Sequence, residues 1–239
     1  MRKICLAIFF VTFLISCEEK QEKPKVIYDA EKTDRKPAKP DSSQIKIADL
    51  PIHMEGTKYL IHAIGDVRIY EGGSRGYGSS NTNSVSYAIS NYNRFELTGY
   101  FENLKFQHID STGLKPLTDK NVQIQTVTFL NTLTENLKKQ VLVYSLVDTD
   151  TNRDAKLDAN DIKSLYLSEI NGEKFQKISA DLQELIDWNV VEMKNRLYFR
   201  TIEDINKNGA FDKNDKVHYF FVDLTASDWE AQEYNPIEG

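Results

Sequence analysis

QVLVYSLVDTDTNRDAKLDANDIKSLYLSEI, residues 140–170, decides how this chain folds. Gln140 to Val147 and Lys163 to Ile170 are short runs rich in β-branched, aromatic and leucine side chains, the composition of strands. Between them lies DTNRDAKLDAND (Asp150 to Asp161), twelve residues dense in side-chain oxygens. Leu165-Tyr166-Leu167 demands a strand after the loop, so the whole stretch predicts a hairpin with an oxygen-rich tip. Fifty-four residues further on the loop returns as DINKNGAFDKND (Asp204 to Asp215), between Leu197 to Ile202 and Val217 to Leu224. Positions 1, 3, 5, 9 and 12 are Asp or Asn in both copies, and position 8 is apolar (Leu157, Phe211).

Working outward, the same pattern organises the second half of the chain. Val122 to Leu130 precedes the first hairpin and a short strand near Phe175 to Ile178 follows it, across a turn at Asn171-Gly172. Leu185 to Met193, a turn at Lys194-Asn195 and a strand around Trp229 to Tyr234 frame the second. Each module is therefore four antiparallel strands, with the loop between the second and third. Asn103 to Ile109 and Leu114 to Leu117 read as the outer hairpin of an earlier module, its inner strands within Thr57 to Tyr70 and Ser84 to Tyr100. A short helical turn is expected over Thr134 to Lys139. The fold class is mainly β, and repeats of this size predict stacked or radially arranged units. A propeller-like meander is the first expectation and a β-sandwich the alternative, because two and a half modules are too few to close a propeller.

The loop spacing is that by which one tight turn wraps oxygens around Ca²⁺, with the carbonyl of position 7 as a further ligand. Two sites are expected, the alternative being a pair of Asp/Asn-rich turns that cap their own backbone without metal. In the first, Asp150, Asn152, Asp154 and Asp161 are side-chain ligands, with the Lys156 carbonyl and Asp158 completing the shell. In the second the set is Asp204, Asn206, Asn208 and Asp215, with the Ala210 carbonyl and Asp212. Position 6 must turn sharply with positive φ. It is Gly209 in the second loop but Ala155 in the first, at a cost of about 1 kcal/mol. The first loop carries four carboxylates against three, and Asp148 lies just upstream.

These loops resemble the calcium loops of EF-hand and dockerin proteins, although those run into a helix. Strand-flanked, they are more similar to loops of integrin α-subunit propeller blades, a likeness that implies a pinned hairpin rather than a helix-opening switch. NLKFQHIDSTGLKPLTD (Asn103 to Asp119), SLYLSEINGEKFQKIS (Ser164 to Ser179) and Trp188 ahead of Leu197-Tyr198-Phe199 resemble blades of TolB-type β-propellers.

The N-terminus reads as a processing signal over residues 1–16. Arg2 and Lys3 precede an apolar run, Ile4 to Ile15, too short to span a bilayer as a mature helix. Leu14-Ile15-Ser16-Cys17 resembles a bacterial lipobox, which implies cleavage before Cys17 and lipid on that residue, a stable anchor. The only other cysteine is Cys5, inside the signal, so no disulfide is expected. Residues 17–44 read as a tether, rich in Lys, Glu and Pro, with a single apolar cluster at Val26, Ile27 and Tyr28. As a flexible coil it reaches roughly 30 Å. Glu18-Glu19-Lys20 resembles the acidic signal of surface-exported Bacteroidota lipoproteins, and a soluble spacer is the equal alternative. The expected place is the bacterial cell envelope, at the outer membrane, with the periplasmic and surface faces both open. Residues 45–239 form one β-rich domain.

Without Arg2 and Lys3 the net charge falls from −6 to −8, which argues against a nucleic-acid partner. His53, His62, His108 and His218 are scattered strand or surface residues, and GxSxG, HExxH and P-loop motifs are absent. Residues 72 to 84 form a Gly/Ser/Asn-rich loop, and Tyr87, Tyr92 and Tyr100 could stack on sugars, though ordinary strand aromatics are the simpler reading. Glu184/Asp187 and Glu230/Glu233 read as solvated charge. The expectation is a lipid-anchored, calcium-binding envelope protein that binds or assembles an unknown protein or glycan ligand. A hydrolase acting on glycan or peptide, with structural calcium, is the alternative, and the sequence leans away from an enzyme.

Overall fold

The computed structural model describes residues 25–28, 45–70 and 84–238. Cys17, the signal, most of the tether and the Gly-rich loop up to residue 83 lie outside them. Three antiparallel sheets carry the fold. The first joins β1 (Lys46–Ala48), β2 (Ile52–His53), β3 (Tyr59–Asp66), β8 (Asn103–His108) and β9 (Lys115–Pro116). A separate pair is β4 (Arg68–Tyr70) with β5 (Ser84–Ser86). The second sheet has six strands: β6 (Ser90–Asn93), β7 (Glu96–Phe101), β10 (Gln123–Phe129), β11 (Val141–Val147), β12 (Lys163–Glu169) and β13 (Gln176–Lys177). The last sheet is the meander β14 (Gln183–Val191), β15 (Arg196–Glu203), β16 (Lys216–Asp223) and β17 (Ala231–Glu233).

The six-stranded sheet lies in the middle. Leu142, Tyr144 and Leu146 of β11 join Ile61, Leu104 and their neighbours from the first sheet in one core. Val141 and Val143, on the opposite face, join Leu165, Leu167, Leu197 and Phe199 in a second core against the last sheet. That double coverage is why β11 is almost continuously apolar: a strand covered on both faces has no polar side to alternate with. Tyr144, fully buried, satisfies its hydroxyl with Ser168 Oγ at 2.6 Å, and burial pushes its ionisation far above the usual phenol range.

The two modules stand where the sequence places them, β10 to β13 and β14 to β17, and a four-residue helix, Thr134–Leu137, occupies the expected turn. Asn171-Gly172 turns β12 into β13, with Gly172 at φ +79°. A Cβ there would sit 2.7 Å from the Phe106 ring, so glycine serves both the turn and the approach of two sheets. The earlier module differs from expectation. β8 and β9 do form a hairpin, but on β3, whereas β7 pairs with β10 and extends the next module's sheet. Leu97 and Phe101 of β7 belong to the same core as Ile124 and Val127, so burial favours the larger sheet over a third module. None of the three closes on itself, and the mainly β fold is an open, sandwich-like stack. Among the described residues no helix is long and apolar enough to cross a membrane.

Candidate metal centre

Both oxygen-rich loops connect adjacent central strands, β11 to β12 and β15 to β16. Each folds around its own side-chain oxygens. Asp150 accepts the amides of Asp154 (3.1 Å) and Ala155 (2.8 Å), and Asp204 accepts those of Asn208 (3.2 Å) and Gly209 (2.6 Å). Asn152 accepts from Asp154 N and Asn206 from Asn208 N, both at 2.9 Å. Asp154 accepts from Lys156 N, and Asn208 from Ala210 N. Asp158 caps Asn160 N, and Asp212 caps Asn214 N. Asp161 accepts from Asp158 N, and Asp215 from Asp212 N. Position by position the two networks coincide.

The backbone repeats as well. Position 4 is left-handed in both, Arg153 at φ 57° and Lys207 at φ 57°, and so is position 6, Ala155 at φ 68° and Gly209 at φ 84°. The positive φ expected at position 6 is present, and Ala155 carries the steric cost that glycine avoids. Leu157 and Phe211 at position 8 are half-buried.

The loops differ in depth. Asp161 is fully buried and accepts two further amides, from Thr151 (2.8 Å) and Asn152 (3.1 Å). Burial raises its proton affinity above the ordinary carboxylate value, opposed by those amides. Asp215 is half-buried, with one amide and the Asn206 side-chain amide at 3.5 Å. Among the described residues no three or more His, Cys, Asp or Glu side chains form a metal cluster. The carboxylate and asparagine oxygens of each loop are turned onto the loop's own amides. Hard, neutral-and-anionic oxygen donors of this kind fit Ca²⁺.

Asp148, upstream of the first loop, does not serve it. It accepts from Tyr166 OH (2.8 Å) and Ser164 Oγ (3.2 Å) and pairs with Lys177 at 2.9 Å, and Lys177 also holds Asp181 at 2.6 Å. This cluster lines a 320 Å³ pocket beside the loop. Two carboxylates sharing one lysine superficially suit acid–base chemistry. Burial works to raise the Asp148 value, but the lysine, tyrosine and serine bonds outweigh it and hold the carboxyl below its ordinary range. A carboxylate held ionised is a poor general acid. Its stabilising effect is present above the ordinary aspartate value and is lost as pH falls through the depressed one. Asp148→Asn therefore lowers stability by about 2 kcal/mol at neutral pH, and the deficit shrinks in acid. Melting curves from about pH 7 to pH 3 check this; a deficit constant across that range contradicts it.

Other expected residues are partly corrected. Glu184 is buried, not solvated: it accepts Lys163 N at 2.9 Å and pairs with Lys25 at 3.1 Å. Asp187 holds Arg200, and Glu233 bonds His218, whose other ring nitrogen meets Glu203 at 2.8 Å. His218 is thus a buried strand residue. Tyr87 and Tyr100 are exposed, while the Tyr92 hydroxyl is tied to the carbonyls of His53 and Arg94. A group of aromatics gathers on the face of the last sheet opposite core residues Leu197, Phe199 and Val222. Tyr198, Tyr219, Phe221 and Tyr234 have ring centroids 5.6–6.2 Å apart, with Arg196 4.1 Å above Phe221. The register of β15, β16 and β17 brings them together.

The loops also have a partner that motif reading does not supply. Lys25 N (2.6 Å) and Val26 N (3.1 Å) donate to the Gly209 carbonyl, and Ile27 N donates to the Thr151 carbonyl at 2.9 Å. Thr151 Oγ1 donates back to the Lys25 carbonyl at 2.6 Å. Four residues of the expected tether thus lie across both loops. The one signal for it was the apolar cluster at Val26.

No protein-family model matches this chain, and no curated protein matches it.

Proposed function

We propose that this is a lipid-anchored, calcium-binding β protein of the bacterial envelope, acting as a binding or assembly module. The observation that carries the calcium reading is the coincidence of two loop networks, oxygen for oxygen, at positions 1, 3, 5, 9 and 12. A loop already folded around those oxygens needs only to exchange amide partners for a cation, so little ordering cost remains at binding. The ligands are Asp150, Asn152, Asp154, Lys156 O, Asp158 and Asp161 in one loop. In the other they are Asp204, Asn206, Asn208, Ala210 O, Asp212 and Asp215. The membrane contact is lipid on Cys17, and the aromatic face around Tyr198 and Tyr234 is the surface we assign to a protein or glycan ligand.

Titration of the chelator-stripped chain with calcium tests the metal reading. Two ions bind per chain, and Asp150→Ala or Asp204→Ala each removes one. An unchanged stoichiometry in both variants overturns the assignment of sites. Labelled lipid incorporated in the bacterial host, and lost in Cys17→Ser, checks the anchor separately.

A further inference from the structure

The segment Lys25–Tyr28 touches three separate parts of the domain. Its amides meet loop two at Gly209 and loop one at Thr151, and its lysine meets Glu184 on β14. Val26 is 4% exposed, although it belongs to a stretch otherwise rich in charge. Thr151 is itself a junction: its hydroxyl accepts Ile162 N at 3.1 Å while donating to the Lys25 carbonyl. One carbonyl from each loop, Thr151 and Gly209, therefore accepts amides of the same short segment.

We propose that the two loops and Glu184 form a recognition groove for an extended basic–apolar segment, and that its occupant is the chain's own Lys25–Tyr28, a latch whose seating and loop closure stabilise each other. Each partner is favoured when the other is ordered, which is a linkage between two sites and is therefore reciprocal. The calcium half of this linkage rests on the function proposed above; the groove and its occupant do not. With lipid on Cys17, seven residues separate the anchor from the latch, at most about 28 Å when extended. A seated latch therefore holds the loop end of the domain towards the membrane, whereas a released one frees the whole tether.

Hydrogen exchange on the full chain, first without calcium, tests the groove. The amides of Val26 and Ile27 exchange at least tenfold more slowly than those of an unstructured peptide of the same sequence. Val26→Asp releases them and speeds exchange in residues 151–155 and 208–210, while Val26→Ile leaves all of them protected. Free exchange at Val26 and Ile27 in the unaltered chain overturns the proposal, as does a Val26→Asp variant whose loops exchange unchanged. Calcium is then added: it slows exchange at Val26 and Ile27 further, and Val26→Asp weakens calcium binding at least threefold. Calcium that binds equally well to both chains overturns the linkage. A chain that binds no calcium overturns the metal reading alone, since the groove is judged by the calcium-free exchange.

Discussion

Saturating calcium raises the melting temperature of the metal-free chain by about 10 °C or more. An ion bound only by the folded state stabilises it by RT ln(1 + [L]/Kd), about 2.7 kcal/mol per site at a hundredfold excess over Kd. Two sites contribute about 5 kcal/mol, and a domain of this size melts roughly 2–4 °C higher for each kcal/mol. Asp150→Ala combined with Asp204→Ala abolishes the shift, because position 1 holds the amides of positions 5 and 6 and is, in the proposed sites, a side-chain ligand to each ion. Magnesium gives a smaller shift, since it resists an irregular shell. A shift of the same size in the double variant contradicts the loop assignment.

Without metal the two loops respond unequally to loss of the position-12 carboxylate. Asp161→Ala strips a buried carboxylate from three amides, those of Thr151, Asn152 and Asp158. The Thr151 amide is buried and the other two are part-buried; a buried donor left without a partner costs about 1–3 kcal/mol and a lost bond elsewhere about 1 kcal/mol, so the variant loses about 3 kcal/mol. The raised proton affinity of Asp161 offsets part of this at neutral pH without reversing its sign. Asp215→Ala loses one amide bond at a half-exposed site and costs about 1 kcal/mol. Denaturant unfolding in chelator measures both, and equal losses contradict the difference in burial.

The strands from Gln123 onward were legible because their apolar runs are punctuated by turn chemistry at Asn171-Gly172 and Asn195 and by the two loops. Strand within Ser84 to Tyr100 was expected, but neither its division into three strands nor the sheet that Glu96–Phe101 joins was legible. Leu97 and Phe101 would suit any apolar neighbour, and only the shared core with Ile124 and Val127 selects β10. The positions of the loop oxygens were likewise readable from spacing, whereas the different depth of Asp161 and Asp215 depends on what packs above them. Val26-Ile27-Tyr28 was visible as an apolar cluster, yet so short a segment as Lys25–Tyr28 holds its place only against carbonyls already positioned, those of Gly209 and Thr151. Similarly, His218 reads as an isolated strand residue until register sets Glu203 and Glu233 on either side.

A structure of the chain crystallised with millimolar calcium, read for anomalous scattering, tests the central claim most directly. The account predicts one ion in each loop, about 2.3–2.6 Å from the side-chain oxygens of positions 1, 3 and 5 and from the carbonyl of position 7. Loops that keep their oxygens on their own amides, with no ion between them at saturating calcium, would contradict it.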